Sequence, residues 1–494
     1  MKRESIIRYG ISTCLVKLSP MIAFGADSQT SVGKPNVLVI ITDQQHAGML
    51  SCVGNQWLKT PNMDRLAAEG VRFERAYCAN PACGPSRFSI FTGRLPSVIG
   101  QEGNLFSPTA SLPKITMGTL FRQAGYRTVY GGKRHLAGWG HAAIEKEGTF
   151  QVPAESKDYG FDELLTEDCR EKLAQSCAQF FRQKQDRPFL LVASFINPHD
   201  ICFMAIEAWN KRGTNAGIND FLKKYFKMGL PEGEVLSQFI ETNCPPLPAN
   251  WEIPENEPKW IMELDSRPFR AYVRQNWSAN DWRLHRWAYA RLTERVDAEI
   301  GKLLDGLRES GLAENTLIVF TSDHGDMDSA HRIEHKSMPY EEAVRIPLIF
   351  SGKGVAKAGM VDRKHLVSNG LDMIPTLCDF AGIQIPSELK GHSVKPLVEG
   401  LPPADWRKEL VIENENSRIL HMGDRKYVII APEETRREEM LIDLSKDPGE
   451  MKNLAADPAY RSQLENARQG LRQWYGANGF ALDSKYQVKP ESAN

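Results

Sequence analysis

Cys83-Gly84-Pro85-Ser86-Arg87, running on through Phe88-Ser89-Ile90-Phe91 to Thr92-Gly93-Arg94, is the stretch of this chain best equipped for chemistry. A proline two residues after a cysteine, at the point where a helical pattern begins, sets the thiol beside free backbone N–H groups at the positive end of a helix. An oxyanion formed there would be stabilised. Cysteine with arginine also suggests a thiolate phosphatase, but only three residues separate Cys83 from Arg87, too few for that enzyme's phosphate-cradling loop. Elsewhere, Asp43-Gln44 and Asp323-His324 each follow a β-branched run, where metal ligands or acid–base groups gather in α/β proteins.

The elements that must position these residues can be read from the apolar pattern. Residues 37–41 (VLVII), 128–130, 189–195, 316–321 and 346–350 read as strands; residues 60–70, 117–124, 282–312 and 372–381 read as helices. This alternation predicts an α/β fold: a large, mostly parallel sheet covered by helices on both faces, with ligands at the carboxyl ends of its strands. Residues 202–280 lack clear periodicity and hold Pro245, Pro246, Pro248, Pro254 and Pro258, which suggests a lid or specificity insertion in a catalytic domain spanning 35–401. After Pro402 short strands at 410–412, 427–430 and 440–444 and a helix at 459–475 predict a small C-terminal α+β domain, 402–494, with a short antiparallel sheet.

Bulk properties exclude several classes. The chain has 494 residues, 41% hydrophobic and 25% charged, enough for a sizeable core and incompatible with disorder. Sixty-one basic and sixty-two acidic side chains leave a net charge of −1, so no global field favours nucleic acid. Beyond residue 30 no apolar run suffices to span a membrane. Lys2, Arg3 and Arg8 precede an apolar stretch at 11–24 and small residues at Gly25 and Ala26, which predicts a signal peptide over 1–26 and export to the periplasm or medium. The nine cysteines show no C-x-x-C pair and predict at most one disulfide.

The Cys83 motif, Cys-x-Pro-Ser-Arg followed four residues later by Thr-Gly-Arg, resembles the signature of the type I sulfatases of the alkaline phosphatase superfamily. The resemblance continues in order through residues 36–44, Gly131 to His135 (GGKRH), Pro198-His199, Ser322 to Asp326 (SDHGD), 336–347 and 443–454, nearly the whole mature chain. It implies that Cys83 is oxidised by a formylglycine-generating maturation enzyme and that one hydroxyl of the hydrated aldehyde attacks sulfur. It implies a divalent-cation site of Asp43, Gln44, Asp323, His324 and the residue 83 oxygen. Many family members have aspartate where Gln44 stands and asparagine where His324 stands, so the set carries less negative charge; Ca²⁺ is favoured, with Mn²⁺ or Mg²⁺ as alternatives.

By the same resemblance Arg87, Lys133 and Lys336 supply positive charge around the sulfate, His135 assists breakdown of the sulfated hydrate, and His199 or Lys336 protonates the leaving oxygen. Asp323 could deprotonate the attacking hydroxyl. Asp200 and Trp139 are candidates for sugar contact beside Lys133, His199 and Lys336. His46, His331 and His335 read as hydrogen-bonded support, and Arg94 as a tie for a helix end. The expected activity is hydrolysis of a sulfate ester on a carbohydrate. A phosphonate monoester or phosphodiester hydrolase and a catalytically silent glycan-binding relative are the alternatives.

Overall fold

The computed structural model describes residues 33–104, 112–136, 159–214, 216–263 and 267–488. The expected signal peptide at 1–26 and Trp139 lie outside the described residues.

The strand Asn36–Asp43 is buried along its whole length, and its β-branched run explains why. Val37, Val39 and Ile41 point into one core, which continues through Phe88 and Phe91 to Ile412, Ile419 and Val428. Leu38 and Ile40 point into the opposite core, against Phe180 and the long helix Ala279–Glu309. That helix, opened by a Ser278–Asp281 capping box, buries Ile300, Leu303, Leu304 and Leu307 along one stripe. Each such side chain contributes about 2 kcal/mol of apolar burial.

Asn36–Asp43 pairs in parallel with Phe189–Pro198 on one side and Thr316–Ser322 on the other, and Arg127–Gly132 lies parallel beyond Phe189–Pro198. These strands centre an eight-stranded sheet. Leu348–Gly352 joins antiparallel to Thr316–Ser322, and Gly70–Phe73 joins antiparallel to Leu348–Gly352. The sheet is therefore mixed towards that edge, while the part bearing the strand ends of interest is parallel throughout.

The C-terminal sheet is antiparallel and four-stranded: Glu409–Asn414, Ser417–Met422, Arg425–Glu433 and Arg436–Asp443. Helix Arg461–Ala477 lies over it, with Gly470 against Leu420. Ser417–Met422 was hidden in the sequence because its run, SRILHM, carries Arg418, a buried cation paired with Glu102 and Glu413. This sheet also pins the segment after Lys336: Asn414 Nδ2 donates to the Ser337 carbonyl at 3.0 Å and Lys426 Nζ to the Pro339 carbonyl at 2.9 Å.

Residues 202–280 differ from the aperiodic insertion expected. They hold the helices Cys202–Asn210, Ala216–Phe226, Gly233–Asn243, Lys259–Glu263 and Pro268–Asn276; all but Lys259–Glu263 share a core with Ile201, Met204, Phe221, Ile240 and Trp282, while Ile261 joins the core of the C-terminal sheet. Short helices broken by prolines blur the periodicity that longer ones display. The eight described cysteines are all unpaired. No helix among the described residues is long and apolar enough to cross a membrane.

Candidate active site

Four parallel strands end together, and each delivers a polar residue at or just past its last rung. Thr42 is in register with Ser322, so Asp43 and Asp323 emerge as neighbours; Asp43 faces Pro198, which places His199 beside it. Gly132 ends the next strand and Lys133 follows. Gly132 has φ +89°, and a Cβ there would fall 2.1 Å from the Ser194 carbonyl oxygen. Only glycine lets Lys133 N donate to that same carbonyl at 2.8 Å.

Into this cluster points the first turn of the fully buried helix Cys83–Thr92, with Ala82 as N-cap. The Cys83 sulfur lies 2.7 Å from Lys336 Nζ, 3.2 Å from His324 Nε2, 3.6 Å from Lys133 Nζ and 3.6 Å from Asp43 Oδ1. His135 and His199 also act on its charge. Burial alone would raise the thiol pKa, but Lys133 and Lys336 overrule it and hold the group well below the ordinary thiol range. A negative oxygen at this place would gain the same stabilisation.

Asp43 and Asp323 are completely buried side by side. Burial and the neighbouring Asp43 charge push Asp323 up to about 6. Burial and Cys83 work the same way on Asp43, yet Lys133, His199 and Arg87 keep it well below the usual carboxylate range. Asp43, Cys83, Asp323 and His324 present one ligand atom each within 4.8 Å of one another. The donor chemistry suits a divalent cation. His324 Nδ1 sits 2.8 Å from the Gly325 carbonyl, which can only accept, so Nδ1 carries the proton and Nε2 turns its lone pair to the cluster. The Gln44 amide oxygen completes the set from 2.9 Å off Lys336 Nζ. These residues could hold a metal.

With the strand ends and ligand atoms in place, the comparison with known proteins is decisive: the family model described as Sulfatase matches residues 35–383. The chain belongs to the sulfatase family. A second model, described as N-sulphoglucosamine sulphohydrolase, C-terminal, matches residues 329–475. Among curated relatives, a Delta 4,5-hexuronate-2-O-sulfatase of Bacteroides thetaiotaomicron is 29% identical over 88% of this chain and 87% of its own length. An N-acetylglucosamine-6-O-sulfatase of the same organism is 28% identical over 95% and 91%. A solved 2-O GAG sulfatase superposes with TM-score 0.72 at 26% identity, covering 92% of this chain and 97% of that one. The sulfatase assignment makes this chain a sulfuric ester hydrolase, and the phosphodiesterase alternative is not favoured.

Two residues of the sulfatase site stand differently from expectation. Arg87, expected against the sulfate, commits its guanidinium to the protein: Nη2 to Asp43 at 2.9 Å, Nε to Asp323 at 2.8 Å, and Nη1 to Ser194 Oγ at 2.7 Å and the Lys133 carbonyl at 3.0 Å. It ties the carboxylates rather than facing outward. Asp200, expected to meet sugar hydroxyls, is 1% exposed and gripped by Arg170. The long reach of Arg170 from before helix Glu171–Arg182 left no local signal for that pairing.

Asp326 closes the SDHGD motif and turns towards Gln44. Its Oδ2 accepts from Gln44 Nε2 at 2.7 Å, and His335 Nδ1 lies 3.4 Å from the same nitrogen. His46, in turn, pairs with Asp328 at 3.5 Å, and His331 stacks on Tyr340, both in supporting positions. Arg94 bonds the Thr92 and Ile115 carbonyls and Glu388.

Proposed function

We propose that this sulfatase releases sulfate from a sulfated carbohydrate through a formylglycine made from Cys83. The observation that carries the reading is the Cys83 sulfur itself, at a buried helix start with Lys336, His324, Lys133 and Asp43 within 3.6 Å. Converted, residue 83 would supply a hydrated aldehyde whose hydroxyl displaces the alcohol from sulfur. A cation held by Asp43, Gln44, Asp323 and His324, with Ca²⁺ favoured for its oxygen-rich ligands, would lower the charge that builds on that oxygen.

The remaining roles fall to the chain's own side chains. Lys133 and Lys336 hold the sulfate oxygens. Arg87 keeps Asp43 and Asp323 in register. His199 sits at the mouth with its side chain 19% exposed, and burial, then Lys133 and Lys336, push its pKa down to about 4. A sulfate between the two lysines offsets their charge, so binding raises the affinity of His199 for the proton it gives the departing alcohol oxygen. His135, beside residue 83, takes the proton whose loss lets the carbon–oxygen double bond reform and the sulfate leave.

The carbohydrate class rests on the two Bacteroides thetaiotaomicron relatives, whose names specify sugar sulfates. Export, from the charged and apolar pattern at 1–26, would put the enzyme where such polymers are met. The test is co-expression with a formylglycine-generating enzyme, mass analysis of the residue 83 peptide, and sulfate release from defined sulfated saccharides. Aldehyde mass with sulfate release is expected; full activity with the thiol intact would overturn the reading.

A further inference from the structure

We propose that the surface beside His199 is a second anion-recognition subsite, taking a carboxylate or an additional sulfate on the sugar that leaves; this rests on the sulfatase reading above. Phe203, half-buried, sets its ring edge-on to His199 at 6.3 Å between centroids. Tyr225 stacks parallel to Phe203, 6.0 Å away with 7° between planes. The Lys224 ammonium, on an exposed side chain, lies 5.7 Å from the Phe203 ring and 5.1 Å from that of Tyr225. Arg170 grips Asp200, the residue after His199.

The Arg170–Asp200 pair is asymmetric. Asp200 has a side chain 2% exposed, whereas that of Arg170 is 47% exposed. Arg170 uses Nε (3.2 Å) and Nη2 (2.9 and 3.2 Å) on the carboxylate, and its Nη1 has no hydrogen-bond partner among the described residues. A buried carboxylate thus holds a half-exposed guanidinium rigid, with Nη1 left over, pre-organised for a planar anion. Nearby acids do not fill that edge. Asp168 Oδ1 accepts from the backbone N–H groups of Arg170 and Lys172, and Glu207 lies one turn beyond Phe203, which favours the Arg170 side of the rings for the anion.

Pyranose C–H faces pack on aromatic rings, and anionic groups seek cations at the ring edge. Because His199 would meet the leaving oxygen, the sugar bearing that oxygen is the one that reaches Phe203. The same geometry gives Asp200 an indirect part: it positions the cation that reads the sugar.

Binding to the full chain carrying Cys83→Ala, measured by calorimetry, tests this apart from turnover. Three probes are compared: a disaccharide whose only charged group is one sulfate, its counterpart with a uronic acid in addition, and its counterpart with a second sulfate. At least one probe with the additional anionic group is expected to bind about tenfold more tightly than the singly charged one. The advantage should vanish in Arg170→Ala, survive in part in Arg170→Lys, and shrink about threefold in Lys224→Met, an exposed position where folding is not at stake. Whichever probe gains identifies carboxylate or sulfate. Equal binding of all three, or an advantage untouched by both Arg170→Ala and Lys224→Met, overturns the subsite. Failure of the sulfatase reading would show separately, as no sulfate released from any probe by the unsubstituted, matured enzyme.

Discussion

Asp326 Oδ2 accepts a hydrogen bond from Gln44 Nε2 at 2.7 Å, and this one contact decides which way the Gln44 amide points. With the nitrogen held by a carboxylate, the amide oxygen faces Lys336, on the side of the residues proposed to hold the cation. Gln44 also adopts φ +69°, a left-handed backbone fixed by its N–H to Asp323 Oδ1 at 3.1 Å and its carbonyl to Tyr289 at 2.5 Å. Asp326→Ala frees the amide to turn, and divalent-cation affinity should fall by about tenfold or more, read by competition with a chromophoric chelator. An unchanged affinity would remove Asp326 from the site.

Arg87 bridges Asp43 and Asp323 with all three residues fully enclosed. A buried carboxylate pair that loses its bridging cation is destabilised by about 3–5 kcal/mol. Arg87→Met should therefore lower stability by roughly that amount in urea unfolding, with saturating Ca²⁺ restoring part of it if the cation occupies the same carboxylates. Arg87→Lys, which spans one carboxylate rather than two, should fall between.

Asp328 offers a pH test away from the reacting atoms. Burial works against its charge, but Arg286 and His46 hold its pKa down to about 2. A carboxyl depressed on folding adds stability above its unfolded value, near 3.9, and loses it as pH falls through the folded value. Between pH 7 and about pH 4 the contribution, about 2 kcal/mol, is fully present; from pH 4 towards pH 2 it disappears. Asp328→Asn should unfold more readily at pH 7 and show a shallower acid limb in denaturant midpoints taken across that range.

Gly132→Ala forces a Cβ to within 2.1 Å of the Ser194 carbonyl at φ +89°. The strand end must shift, and Lys133 with it. Expected is a loss of at least about 2 kcal/mol in stability, together with sulfate release reduced more than the remaining folded fraction explains. Activity that scales with folded protein alone would detach Lys133 from the site.

The parallel core was legible because buried β-branched runs such as 37–41 and 316–321 have few other uses, and Asp43, His199 and Asp323 follow directly from where those runs stop. Lys336 and Cys83 were found by motif rather than by element. What stayed hidden was pairing at a distance: Arg170 with Asp200, Arg87 with both aspartates, Arg418 with Glu413. A long cationic side chain chooses its partner in three dimensions, and nothing in the local string of residues records the choice. The insertion helices other than Lys259–Glu263 were missed for another reason, since their apolar faces pack mainly on one another and on Trp282, not on the sheet.

If residue 83 is oxidised as proposed, its enclosure sets a clock on that step. Its side chain is 1% exposed, and the wall that seals it comes from His324, 241 positions further along the chain, and from Lys336 beyond that. Any oxidase acting on the thiol must reach it before those late-synthesised segments dock, so faster folding would yield more permanently inert protein, and slowing translation between the two segments should raise the converted fraction.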